Sequence, residues 1–572
     1  MAAPSLARAD AKVDLCHSAD EAGPGTNLQR ALTRPLNPNN ATNNIIFECG
    51  GSATITVDRP LEIFQATAVD GANAVTLTDT NPSFRSSIFV VGSSTTFLFL
   101  RNLTLTHPNT QRQVFCGTST CIGTVINAQG TTELDNVVIE NSDTPVSATS
   151  GSLTVSQSRF TGNSGRLIVA GPGVTSTIVN SVFQNNPDTA PILASGTVNI
   201  SGSQFVNNNS PLFFPGLCQL NVDNSTFQNN TDAALFINCS SVTISNSLFA
   251  SNSASIFGAA IRFAASAQQI TLRGDRFLNN NATFGGSALW FAPPETADMS
   301  VSVSSSTFSG NRGADGGAIF ISQPKNPSLK TIMKLQRVSF SRNVATRAGG
   351  AISALGAELL VARSVFADNT AGTSGGAVAL NNTAPQHSIF ANTLFIRNHA
   401  ASGSAYAGDD ADFINTTVDS NDGLAIESVG AQPLPIRLVN SIVSNNPGGG
   451  CGPASAASGV FLDGGNDLQF PGTDCGGSIP VANPRLDSMF IPLPLSPPMG
   501  HGDLDVCMKK PINGRDVYGS ARPSGGACTI GAAEGVIHKR EPCQGVGPNQ
   551  PNRRDCYTGL FNQLQRLLPS GH

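Results

Sequence analysis

Apolar and polar positions along this chain follow two rhythms. Within short stretches they alternate, as in Leu153-Thr154-Val155 and Val198-Asn199-Ile200, which is the period of a strand with one buried face. Over longer distances a pattern returns: Ser or Asn, one residue, an apolar residue, two residues, then Asn. It centres on Phe160, Phe183, Phe205, Phe227 and Phe249, then on Phe277, Phe308, Phe340, Phe366 and Phe395, with weaker copies at Val138, Val418 and Val443. From Val138 to Phe249 the steps are 22, 23, 22, 22 and 22 residues; from Phe249 to Phe395 they lengthen to 28, 31, 32, 26 and 29.

A unit of this length cannot close a core of its own, so neighbouring copies must stack. Three short strands and their turns fill one coil, and coils stack in parallel register at ~4.8 Å. The predicted fold is all-β: a single-stranded right-handed parallel β-helix with capped ends, about 60 Å long for thirteen coils. The repeated Phe is expected to point inward and stack on its neighbours. The Asn three residues later is expected at a turn, in the left-handed conformation Asn tolerates, with its amide bonded to the same Asn in the next coil. The long step from Phe308 to Phe340 predicts a protruding loop. The expected organisation is a leader or processing remnant at 1–21, an N-terminal cap and first coils at 22–106, repeats at 107–450, C-terminal coils and cap at 451–540, and a tail at 541–572. A short helix is expected over Asn27–Leu32, covering the first coil.

Two resemblances refine this reading. Gly316-Gly317-Ala318-Ile319, Gly349-Gly350-Ala351-Ile352 and Gly375-Gly376-Ala377-Val378, each after a Phe-x-x-Asn element, resemble the repeat of chlamydial polymorphic outer membrane proteins over about residues 250–400. That resemblance implies an adhesive passenger, and the family's C-terminal β-barrel is not expected within these residues. The run from Gly464-Gly465-Asn466-Asp467-Leu468 through Leu495-Ser496-Pro497-Pro498 and Gly514-Arg515-Asp516 to Cys528-Thr529-Ile530-Gly531 is similar to the ending of secreted bacterial β-helix proteins of the choice-of-anchor Q type. Thr529 stands where that family usually has Asp. This second resemblance implies a secreted or cell-surface location more than an activity.

Composition adds limits. Only 12% of residues are charged and the net charge is −5, so the basic footprint of a nucleic-acid binder is missing. Twelve cysteines fall into sequential pairs: Cys16 and Cys49, Cys116 and Cys121, Cys218 and Cys239, Cys451 and Cys475, Cys507 and Cys528, Cys543 and Cys556. Such pairs suggest disulfides and an oxidising compartment, with connectivity left open. No transmembrane helix is expected.

Candidate chemistry is sparse. Asp409, Asp410 and Asp412, with Arg397 and His399 upstream, form the densest acidic group. Paired carboxylates there would do acid–base work or hold calcium in a polysaccharide lyase, or would simply occupy a solvated turn. Lys325, Lys330, Lys334, Arg337 and Arg342 make a basic stretch suited to an anionic glycan or headgroup, or to an ordinary solvated loop. Gly500-His501-Gly502 with Asp503 reads as a turn. Trp290 is the only Trp, which weighs against an aromatic sugar groove. No metal site and no cofactor is expected, and the expected partners are surface glycans or cell receptors. The reading favoured is a structural or adhesive β-helix without catalysis; the alternative is a pectate-lyase-like or other polyuronate lyase. Ice binding would need a regular array of outward Thr pairs, of which only Thr104 and Thr106 stand out.

Overall fold

The same three-strand sentence is written into every regular coil. In one coil it reads Val146–Ala148, Ser152–Ser156 and Arg159–Thr161, hereafter the first, second and third columns. Each strand pairs in parallel with its counterpart one coil on, as in Val146 with Ile168, Leu153 with Ser176 and Phe160 with Phe183. The chain is thus a right-handed parallel β-helix. The computed structural model describes residues 11–36, 41–79, 87–93, 95–107, 124–142, 145–187, 192–209, 212–216, 218–381, 386–429, 434–453, 460–523 and 526–535. Cys116, Cys121, Cys543 and Cys556 and the 541–572 tail lie outside them. Two compact units result: unit 1 holds Met1–Ala254 and Ala259–Gln269, unit 2 holds Ser255–Gly258 and Ile270–His572.

In unit 1 the repeated Phe residues are buried and stacked, with ring centroids 4.6 Å apart for Phe160–Phe183, 4.8 Å for Phe183–Phe205, 4.9 Å for Phe205–Phe227 and 4.7 Å for Phe227–Phe249. The Asn three residues after each Phe is buried too. Asn208 donates one Nδ2 proton to Phe183 O of the preceding coil (3.0 Å) and one to Asn230 Oδ1 of the next (3.1 Å). The left-handed turn, however, belongs to the residue before this Asn: Asn185, Asn207 and Asn229 have φ of +54°, +55° and +54°. The doubled Asn of these repeats thus divides the labour. The first, exposed, turns the chain; the second fills the ladder. A second ladder runs through the Ser that opens each motif, with Ser181 N donating to Ser203 Oγ at 3.2 Å.

The start of unit 1 is closed by a helix, Leu28–Leu32, whose N-cap Asn27 accepts from Arg30 N and whose Leu28, Ala31 and Leu32 are buried. Disulfides join Cys16 to Cys49 and Cys218 to Cys239.

Unit 2 keeps both core features, with Phe277–Phe308 and Phe308–Phe340 at 4.6 and 4.8 Å and Asn343 Nδ2 donating to Asn369 Oδ1 at 2.9 Å. Its longer steps have two sources. A loop of residues 322–330 separates Ile319–Ile321 from Thr331–Gln336. A fourth short strand also follows the Asn, at Asn281–Ala282, Arg312–Gly313, Val344–Ala345 and Thr370–Ala371. The Gly-Gly pair turns this extra strand back into the first column. Gly316 has φ +58°, and a Cβ on Gly317 would sit 2.2 Å from Gly350 O of the next coil. Disulfides join Cys451 to Cys475 and Cys507 to Cys528.

The chain beyond the last coil first covers it, Gln469 pairing with Val481, and then turns back along the flank. It lies on the outward side of the third column, where that side becomes apolar: Ala367, Leu394 and Ile396 pack with Val517, Ala532 and Ala533. Gly531 N donates to Asn440 O (2.7 Å) and Ala532 N to Thr417 Oγ1 (2.9 Å). Inside this strap Arg522 and Glu534 form a buried ion pair at 3.2 Å, and the Glu534 amide donates to Asp516 Oδ2.

Candidate functional site

The acidic group lies where unit 2 turns from the first column into the second. Asp410 has a left-handed backbone, φ +52°, just before the strand Ala411–Ile414; Asp412 is on that strand, facing outward and nearly buried. Parallel register brings one basic residue from each neighbouring coil. His387, one coil earlier, places Nδ1 2.7 Å from Asp410 Oδ1 and Nε2 3.4 Å from Asp412 Oδ2. Arg437 pairs with Asp412 across adjacent strands and donates Nε (3.1 Å) and NH2 (2.7 Å) to its two oxygens. Burial opposes a charge on His387, but the hydrogen bond to Asp410 and the charges of Asp412 and Asp410 outweigh it and raise its pKa. The hydrogen bond to Asp412 likewise raises that of Arg437.

Asp409 is set apart from this network, accepting from Ser428 Oγ. Arg397 and His399, the expected companions, are engaged elsewhere: Arg397 pairs with Asp368 (2.8 Å) and His399 with Asp422 (2.8 Å). The residues that do converge, His387 and Arg437, stand 23 residues before Asp410 and 25 after Asp412, one coil away in each direction. Counting by the local coil length was the signal that finds them. With His387 protonated, two carboxylates meet two cations and the group is neutral as a whole. Both Asp412 oxygens already accept hydrogen bonds, which leaves poor ligands for calcium. Among the described residues no three of His, Cys, Asp and Glu are arranged to hold a metal ion.

The basic stretch does not gather into one patch. Lys325 sits in the 322–330 loop and pairs with Glu295, and Lys330 ends that loop. Lys334 points outward from the second column. Arg337 and Arg342 occupy the two left-handed corners on either side of Phe340, with φ +56° and +53°. Around Gly500-His501-Gly502, Gly502 N donates to Cys528 O and Asp503 caps the helix Leu504–Met508, so the motif is a turn of the strap.

Two surfaces remain. On the outward side of the second column in unit 1, the strands Ser152–Ser156, Thr175–Val179, Gly196–Ser201, Cys218–Asp223 and Ser241–Ser245 stack in register. Their outward residues are Ser, Thr, Asn and Gln except for Val179 and Asp223, while the inward Leu153, Ile178, Ile200, Val222 and Ile244 are buried. Asn221 Nδ2 donates to Asn199 Oδ1 along this face at 2.9 Å. Nearer the start of unit 1, Thr54 and Thr56, Thr76 and Thr78, and Thr104 and Thr106 are in register, a stack invisible without the pairing. It ends at Val138 and Glu140, and Thr78 is buried. The Trp290 ring in unit 2 is stacked under Phe257 at 5.2 Å, so one of its faces is taken.

A family model described as a right-handed β-helix region matches residues 137–292. No curated protein matches the chain. Among solved structures, PfbA, a surface adhesin of Streptococcus pneumoniae, is similar at 11% identity over 61% of this chain and 83% of that one, with a TM-score of 0.24. The PL6 family alginate lyase AlyGC is similar at 10% identity over 77% and 99% of the two chains, with a TM-score of 0.14. Both likenesses are too loose to carry chemistry from one protein to another. No helix among the described residues is long and apolar enough to cross a membrane.

Proposed function

We propose that this chain is a secreted or surface-displayed structural and adhesive β-helix without catalysis. The observation that carries this reading is the outward face of the second column in unit 1, uncharged over the strands from Ser152 to Ser245 except for Asp223. Hydroxyl and amide groups there repeat from coil to coil, suited to many weak hydrogen bonds with a glycan or a receptor surface rather than to one reaction centre. The disulfides fit an extracellular setting. The test is binding of the purified chain to cells and to immobilised glycans. Replacing Thr177, Asn199 and Asn221 together with Glu puts three carboxylates on this face and is expected to abolish binding while leaving the fold intact; binding that persists would sink the reading.

A polyuronate lyase is the second reading, and the convergence of His387, Asp410, Asp412 and Arg437 from three successive coils is what favours it. Purified protein is assayed on pectate and alginate, with and without calcium, for unsaturated product in the ultraviolet. Signal that disappears in Asp410→Ala would establish the lyase and displace the adhesive reading.

A further inference from the structure

Arg337 and Arg363 stand at the same corner of two successive coils in unit 2. Each follows the second-column strand, Thr331–Gln336 or Glu358–Ala362, and each is left-handed, with φ +56° and +49°. They are stacked by the coil ladder: Arg337 N donates to Ala362 O and Arg363 N to Ala391 O, both at 3.0 Å. Other coils put Asn at this corner, as at Asn180, Asn224, Asn246, Asn392 and Asn415, because Asn enters the left-handed region at low cost. The backbone gives no reason for Arg.

The strap brings a third guanidinium. Asn392, the corner residue of the coil after Arg363, donates Nδ2 to Arg515 O at 2.6 Å. Four other arginines of unit 2 have carboxylate partners: Arg347 with Asp315, Arg397 with Asp368, Arg437 with Asp412, Arg522 with Glu534. Arg337, Arg363 and Arg515 have none among the described residues. The one acid whose charge acts on Arg363, Asp516, accepts from the backbone amides of Tyr518, Ser520 and Glu534. Burial, then the positive charges of Arg337 and Arg515, lower the pKa of Arg363, as crowded like charges do.

We infer that Arg337, Arg363 and Arg515 form a binding site for a tetrahedral oxyanion, the sulfate or phosphate ester of an acidic glycan. Guanidinium forks match paired oxygens on such a group, and its negative charge, one on a sulfate ester and up to two on a phosphate ester, would relieve the crowding of three cations. The site goes beyond the adhesive reading and stands whether or not the chain adheres to cells.

The test is calorimetric titration of the full chain at low salt with a sulfated heparin-derived oligosaccharide, its desulfated counterpart and inorganic sulfate. The sulfated oligosaccharide is expected to bind and to raise the melting temperature of unit 2; the desulfated one is not. Arg363→Asn and Arg515→Gln are each expected to weaken binding at least tenfold, and Lys12→Gln in unit 1 to leave it unchanged. Without ligand, Arg363→Asn should match or exceed the native melting temperature, since it installs the residue other coils use and removes a like charge. Inorganic sulfate binding with the same variant dependence supports a site for the ion itself; binding of the oligosaccharide alone supports a glycan-borne group. Absence of binding by both sulfated probes, binding that survives both arginine substitutions, or a lower melting temperature for ligand-free Arg363→Asn would overturn the proposal.

Discussion

Units 1 and 2 share a core and differ in what is hung on it. In the regular coils of unit 1 the chain moves from the ladder Asn to the first column with little added, and the outward polar groups bond mainly to one another, as Asn207 does to Asn185 and Asn221 to Asn199. In unit 2 the insertions fall where the core does not see them: after the ladder Asn and between the first and second columns. Several ion pairs across coils gather there, while the strap lies on the outward side of the third column. The difference teaches that Phe and Asn fix the coil, while the two connecting corners are free to acquire charge and length.

That contrast can be broken or sharpened by experiment. Acid–base behaviour should separate the units most. Asp467 takes the ladder place that Ser holds in other coils, accepts from Ser441 N, and is pushed up to about 8 by burial. Below pH ~4 both folded and unfolded states hold its proton. Between pH ~4 and ~8 only the folded state does, so stability falls as pH rises through this window. The shift of about four units corresponds to a loss of up to about 5 kcal/mol. Glu427 and Asp516, also raised by burial, add in the same direction. Hydrogen exchange across unit 2 should therefore accelerate from pH 5 to pH 9 after correction for intrinsic rates, and Asp467→Asn should remove most of the effect. A flat profile would mean that the carboxyl is solvated.

Next in size, Phe205→Ala in unit 1 and Phe340→Ala in unit 2 should each cost about 3–5 kcal/mol in denaturant unfolding. Values differing by more than about 2 kcal/mol would show that the two cores are not equivalent. The disulfides Cys218–Cys239 and Cys507–Cys528 both span 21 residues. Loop-closure entropy assigns each about 3 kcal/mol. Serine pairs should lower the two units alike; only the second should free the strap, seen as proteolysis near Val517. Smallest of all, Arg437→Leu should cost no more than about 1 kcal/mol, since the guanidinium is half exposed, and should raise the His387 pKa measured by NMR slightly, because a neighbouring cation is lost and Asp412 is left to the imidazole.

Much of the fold was legible because its signals are local and repeated. The Phe spacing gave the coil, and the long step at Phe308–Phe340 located a real loop. The left-handed residue was misplaced by one because a doubled Asn offers two equal candidates, and only burial tells them apart. The course of the strap was not legible, since the apolar Ala367, Leu394 and Ile396 that receive it lie far from it in sequence. The acidic group was found but given the wrong companions: proximity along the chain pointed to Arg397 and His399, whereas a solenoid sets neighbours one coil apart.

The ladder also bears on chemical ageing. Asparagine is among the least durable side chains, because the backbone nitrogen that follows it can attack the amide carbon and expel ammonia. In these coils that nitrogen is already engaged: except where Pro follows, as at Pro187 and Pro447, the residue after a ladder Asn donates its N–H to the preceding coil, as Asn209 does to Asn186 O, Thr231 to Asn208 O and Thr370 to Asn343 O. The amide itself is held between two coils. Ring closure would demand that both bonds break together, so the buried Asn residues should outlast the exposed ones at the corners over long storage.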